Sequence, residues 1–251
     1  MEQTVKKGNN PGCLKPEAAT YVKLFSGSAL KLLAVITMLI DHGALVLVAQ
    51  TEWGMAPIVF MGKSISIYYI LRHIGRLSFP LFCFLLVEGF WHTRSRKKYA
   101  VNLLCFAVLS ELPFDLMVSG RWFYLGKQNI YFTLLLGVFL LCILEWNIEV
   151  WKKGLCLVGL YIMARLLKTD YGFNGIELIG LLYILREQKL LRTFFALPML
   201  SGGLSALLSF VPINMYNGKR GFIKGKMLKY AFYLFYPAHI IALLVAEKML
   251  F

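Results

Sequence analysis

Acidic residues are scarce in this chain: Asp and Glu number 13 among 251 residues, against 27 Lys and Arg, for a formal net charge of +14. A cationic excess of that size can signal nucleic acid. Here, however, Lys and Arg sit mainly at the ends of apolar runs, where membrane topology places them, and no nucleic-acid partner is expected. The five cysteines (Cys13, Cys83, Cys105, Cys142, Cys156) are odd in number, form no C-x-x-C and lie mostly within apolar runs. They read as small packing residues, not as a disulfide frame or thiolate ligands. Neither H-x-x-x-H nor H-E-x-x-H occurs, so no metal is expected. G-x-x-x-x-G-K-S/T and G-x-S-x-G are also absent, which removes local support for ATP-driven transport and serine hydrolysis. The first 27 residues carry Lys6, Lys7, Lys15 and Lys23 but no apolar stretch with a small-residue cleavage site, so no cleaved signal peptide is expected.

What remains is apolar. Hydrophobic residues make up 59% of the chain and the mean hydropathy is +0.65, the profile of a multi-pass membrane protein. Since a bilayer core of about 30 Å takes roughly 20 helical residues, this length accommodates about eight spans with short connections. The expected architecture is an all-α polytopic membrane bundle: a polar basic segment over 1–27, then one transmembrane domain over 28–251. Apolar runs place helices at 28–49, 74–93, 99–119, 128–148, 153–168, 172–186, 191–213 and 227–248. The stretch 53–73 is apolar but interrupted by Pro57, Gly62 and Lys63, and reads as an interfacial or re-entrant segment or an extension of the second helix. The run "RSRKK" at 94–98 puts the end of the second helix, and with it the N-terminus, in the cytoplasm. The loops near Lys152 and Arg186 then fall on the same side. With eight spans, the basic loop 217–229 falls on the opposite side, against the rule. Either the span count fails in the last third or those cations bind something.

Several ionisable or strongly polar groups lie inside these apolar runs. Each charged one costs about 2.5–3.5 kcal/mol at mid-bilayer unless it finds a partner, a polar cavity or a function. They are Asp41 and His42 on the first helix, Glu88 on the second, Glu111 and Asp115 on the third, Gln128 and Asn129 at the start of the fourth, Glu177 on the sixth, and His239 on the eighth. Convergence on one polar interior is expected. Glu111 and Asp115, at i and i+4, share a face, and Pro113 between them should kink the helix. Asp41 and His42 point about 100° apart, so a residue from another helix should orient His42. Packing roles suffice for His73 and His92, near helix ends. A histidine in such a cavity suits general-base chemistry. In acyl transfer it would take a proton from an attacking amine or hydroxyl, with acyl-CoA as donor and Arg or Lys for the CoA phosphates. Candidates for those contacts are Arg72, Arg76, Arg94, Arg96, Lys97 and Lys98.

The segments "LKLLAVITMLIDHGAL" (30–45), "LRHIGRLSFPLFCFLLVEGFWHTRSRKKYAVNLLCFAVLSELPFDL" (71–116), "KQNIYFTLLLG" (127–137), "DYGFNG" (170–175) and "YLFYPAHI" (233–240) resemble, in that order, the TraX family of membrane proteins. That family is named for a protein that N-acetylates the pilin of conjugative plasmids. The resemblance implies an integral-membrane acetyltransferase with acetyl-CoA as donor and a protein N-terminus or a glycan as acceptor. It also looks distantly like the transmembrane acyltransferases, in which a histidine at the end of the first helix is the catalytic candidate, and His42 matches that position. On this reading His42, Asp41 and Glu88 are catalytic, and Glu111, Asp115, Gln128, Asn129 and His239 line the cavity. The rival readings are a proton-coupled transporter, which carboxylates and histidines on several helices would also serve, and a non-enzymatic membrane scaffold. No inverted repeat is evident to support the transporter.

Overall fold

The computed structural model describes residues 23–251 except Met61 and Lys224. The expectations for residues 1–22, Cys13 among them, fall outside the described residues. The described chain is helical almost throughout, as a polytopic membrane bundle requires. Helix α1 (Gly27–Val46) starts where the Ser26 hydroxyl accepts from the amide of Ala29 at 3.2 Å, the usual N-cap geometry. A short helix α2 (Glu52–Met55) and a two-stranded antiparallel hairpin, β1 (Ile58–Phe60) with β2 (Lys63–Ile65), follow. They lead into α3 (Ile67–Gly75), which abuts α4 (Ser78–His92). The stretch 53–73 is thus partly a hairpin cap and partly an extension of the second helix.

Helix α5 (Arg96–Ser119) runs through Pro113 as one helix, so the expected kink does not interrupt it, and ends on Gly120 in the left-handed region at φ 68°. Next come α6 (Ile130–Glu145), α7 (Val150–Leu167) and α8 (Gly172–Ile184). The segment expected as a single helix over 191–213 is broken into α9 (Lys189–Ala196), a 3-10 turn, α10 (Leu204–Leu207) and α11 (Phe210–Asn214). Helix α12 (Lys226–Leu250) closes the bundle. Four helical stretches, 27–50, 67–92, 96–119 and 227–250, are long and apolar enough to cross a bilayer by length and composition. Leu32, Ile36 and Leu39 on α1, and Leu155, Val158 and Ile162 on α7, are exposed on outer faces where a soluble protein would carry polar groups. The chain is a membrane protein.

The break in the 189–214 segment changes the topology. Eight α-helical and three 3-10 residues rise about 18 Å, short of the roughly 30 Å of a hydrocarbon core. The chain then turns back at Gly202 and Gly203, where a methyl added to Gly202 would meet the Arg76 side chain at 2.6 Å. It returns to its starting level. There Lys189 Nζ donates to the Asn214 carbonyl at 2.6 Å, and the buried Arg192 guanidinium donates to Asn214 Oδ1 at 2.8 Å and to the Arg186 carbonyl at 2.9 Å. The segment is a re-entrant hairpin with both feet at one end of the bundle. Consequently the loop 217–225 lies at the end where α1 begins, and the amides of Gly27 and Ser28 donate to the carbonyls of Lys219 and Arg220. The connections 93–95, 146–149, 185–188 and 217–225 then share one end, which resolves the conflict posed by eight full crossings. We call it the basic end.

Single cysteines placed in a background without the native ones test this arrangement. Lys219→Cys and Arg94→Cys should react with an impermeant thiol reagent from the same side of sealed vesicles, and Leu125→Cys from the other. Labelling of residues 219 and 94 from opposite sides would restore a full crossing over 189–214.

Candidate functional site

Helix α1 is wedged between α3 and α12 towards its C-terminal half, and its two adjacent ionisable residues serve one neighbour each. Asp41 turns to α3, where its Oδ2 accepts from Arg72 Nη1 at 2.6 Å. Its side chain lies over Gly75, and any Cβ at 75 would collide with the Asp41 carboxylate. His42 turns to α12, where its Nδ1 is 2.7 Å from His239 Nε2. The two rings are nearly parallel, at 3°, with centroids 5.0 Å apart. The orienting residue from another helix is therefore His239, and the 100° between Asp41 and His42 separates their partners as expected.

Hydrogen-bond inventory assigns the protons. His239 Nδ1 lies 2.8 Å from the Phe235 carbonyl, which only accepts, so Nδ1 carries a hydrogen. In the neutral ring Nε2 is then an acceptor. His42 must donate to it from Nδ1, which leaves the lone pair of a neutral His42 on Nε2. His239 is buried, packed against the Phe235 ring at 4.8 Å and 9° and against Tyr236 at 5.7 Å and 62°.

Other expected residues surround this pair or lie away from it. Lys127 pairs with Asp170 at 2.6 Å, and Lys127 and Arg72 are cations facing His42. Arg76 lies by Asp41 and Tyr171 under the tip of the re-entrant hairpin and has no ion-pair partner among the described residues. Glu111 is bonded to the side chain of Asn129, which also donates to the Ala107 carbonyl at 2.8 Å and caps α6 through Tyr131 N at 3.0 Å. Asp115 accepts from the amide of Tyr124 at 2.8 Å. Gln128 N donates to the Lys168 carbonyl at 3.0 Å. These four do not face His42 directly. They tie the loop carrying Lys127 to α5 and to the turn carrying Asp170.

Glu88 is not brought to the histidines. It sits near the far end of α4, about 15 Å of helix from Ser78, and accepts from Arg186 Nη2 at 3.0 Å. Tyr216 lies beside it, and burial together with that carboxylate pushes the tyrosine phenol up to about 12. Arg94, Arg96, Lys97 and Lys98 lie at the basic end too, where Arg96 is ion-paired with Glu145. Reading the sequence missed Lys127 and also Lys31, although the spacing of Lys31 was available. Lys31 precedes His42 by eleven residues on α1, hence about 20° away around the axis and about 16 Å below it. Arg220 and Lys229 are its charged neighbours, and no carboxylate pairs with it among the described residues.

Comparison with known proteins follows the same outline. A family model described as "TraX protein" matches residues 26–247. The chain is 34% identical over 255 residues to the "Probable fimbrial assembly protein FimC, serogroup H1" of Dichelobacter nodosus, covering 90% of this chain and 96% of that protein. No solved structure matches.

The contact at Gly75 gives a direct test of the α1–α3 seam. Gly75→Ala should destabilise the protein by about 1–3 kcal/mol, because the new methyl displaces Asp41 from Arg72. Gly43→Ala, where nothing lies within 4 Å, should be neutral or stabilising by up to about 1 kcal/mol. Thermal unfolding in detergent compares the two, and equal effects would remove the close approach.

Proposed function

The chain belongs to the TraX family, and from that premise we propose that it is an integral-membrane acetyltransferase that moves an acetyl group from acetyl-CoA to an amine. The observation that carries the proposal is His42 Nε2, which has no hydrogen-bond partner among the described residues, a neutral imidazole lone pair at membrane depth whose other nitrogen is committed to His239. A base there can take a proton without first losing a counterion. The amine nitrogen attacks the thioester carbonyl carbon and its proton passes to His42 Nε2. The tetrahedral intermediate expels the CoA thiolate, and His42 returns the proton to the sulfur. Arg76, which has no ion-pair partner among the described residues, is the cation available to the developing oxyanion. Asp41 acts through Arg72 by fixing α3 against α1, not as an acid or base on the substrate.

The CoA phosphates need a cluster of cations. Lys31 with Arg220 and Lys229 meets that need better than the 94–98 run, because Lys31 is on the His42 face of α1 and has no ion-pair partner among the described residues, whereas Arg96 is paired with Glu145. On this reading the donor enters from the basic end, taken as cytoplasmic, with its thioester reaching up α1. The acceptor follows from the relative named for fimbrial assembly, and we take it to be the amine of a fimbrial subunit.

Acetyl-CoA should raise the unfolding temperature of the purified protein, with about 2.7 kcal/mol of added stability at 100 times its dissociation constant. Lys31→Ala should lose most of that effect. His42→Ala should keep it while transferring no acetyl group. Absence of stabilisation by any CoA thioester, together with proton flux in proteoliposomes, would replace the enzyme with a transporter.

A further inference from the structure

We propose that His239 is the second base of a histidine dyad, and that the proton taken by His42 during transfer is relayed to His239. The inference rests on His42 being the base of the proposed reaction. The geometry lies in one line of hydrogen bonds: His42 Nδ1 to His239 Nε2 at 2.7 Å, then His239 Nδ1 to the Phe235 carbonyl at 2.8 Å. As the amine proton arrives on His42 Nε2, the Nδ1 proton of His42 moves to His239 Nε2. His42 is then neutral in its other tautomer, and His239 is an imidazolium protonated on both nitrogens. When the thiolate leaves, His42 Nε2 protonates the sulfur and His239 Nε2 returns its proton to His42 Nδ1. One proton enters the dyad and one leaves, and no other reactant is needed.

The surroundings favour placing the charge on His239 over leaving it on His42. His239 has the Phe235 carbonyl against Nδ1 and the face of the Phe235 ring stacked on it at 4.8 Å, both of which stabilise a cation. His42 has Arg72 from α3 and Lys127 from the loop before α6 as charged neighbours, each paired with its own carboxylate, so no unpaired anion among the described residues favours a cation there. Asp41 is held by Arg72, and Asp170 by Lys127, so neither carboxylate is left to accept the proton. Tyr236, on the same turn of α12, presents its ring to both histidines, at 6.1 and 5.7 Å. His239 is thus a proton-carrying positioning residue that acts on the substrate through His42.

The chain has four histidines, so nitrogen-15 labelling of histidine resolves each by nuclear magnetic resonance. In the full-length protein in detergent, His42 and His239 should both show Nδ1–H tautomers at neutral pH, with a scalar coupling across the Nδ1–H···Nε2 bond. On acidification the pair should take up one proton between them, with both rings responding at one midpoint. His239→Gln keeps an acceptor for His42 Nδ1–H but cannot accept the proton. It should preserve the His42 tautomer and the stabilisation by acetyl-CoA, and slow CoA release from acetyl-CoA with a free-amine peptide by about 100-fold. Independent titration of the two rings, an Nε2–H tautomer for His42, or wild-type turnover in His239→Gln would each overturn the relay. Activity surviving in His42→Ala would instead overturn the base reading itself.

Discussion

The contact between His42 and His239 joins the first spanning helix to the last, 197 residues apart, and closes the bundle on itself. A polar pair at that depth has no water to fall back on, so each member must find its partner within the bundle. On the other side of α1, the Asp41–Arg72 pair holds α3 at the same level. α1 is therefore fixed in rotation by two polar contacts pointing in different directions. A slip of one residue would bring Asp41 towards α12 and leave Arg72 unpaired, which makes the register of α1 costly to change.

The same constraint explains how charge is distributed elsewhere. Lys127 with Asp170, Glu88 with Arg186, and Arg96 with Glu145 each cancel locally. Partly exposed ionic pairs of this kind contribute little net stability, because desolvation and side-chain ordering offset attraction, but breaking one leaves an uncompensated charge. Their value here is positional. The Glu88–Arg186 pair and the Arg192–Asn214 bonds tie the re-entrant hairpin to α4 at its base, while its tip closes over Arg76. Among the described residues, Arg76 and Lys31 take part in no such ion pair. Arg76 lies by Asp41 and Lys31 about 16 Å along α1 from His42, an arrangement the proposed reaction would use for a substrate that carries negative charge at one end and develops it at the other.

Most helices were legible in the sequence because the bilayer imposes a length and an apolar composition on each crossing. The expected ranges for the first six helices and the last agree with α1, α4, α5, α6, α7, α8 and α12 to within a few residues. The exception, 191–213, has the composition of a span but not its continuity. Pro198 and the Gly202–Gly203 pair break it, and hydropathy does not register a turn made of Gly and Ser. The basic loop 217–229 was the visible warning. Within the site, the identity of the ionisable residues was readable but their pairing was not. Helical periodicity gives the angle between Asp41 and His42 within one helix, and nothing in a single chain gives the rotation of α12 that presents His239. Glu88 shows the same limit: its depth in an apolar run is as great as that of His42, yet it faces the opposite end.

Pairing a histidine with a histidine instead of a carboxylate suits this location for a physical reason. A carboxylate beside His42 would be charged at rest, and a lone charge at mid-bilayer costs about 2.5–3.5 kcal/mol. It would therefore demand a counterion, and the counterion would oppose protonation of the base. Two neutral imidazoles carry no charge until the reaction supplies a proton, so the resting site needs no such compensation. The one carboxylate that does sit next to His42 in the chain, Asp41, is already neutralised by Arg72 and turned away by the pitch of the helix. Adjacent in sequence, Asp41 and His42 thus do unlike work: one fixes the position of α1 with an ion pair to Arg72, and the other bonds His239 on α12 and, in the proposed reaction, offers its other nitrogen to the substrate.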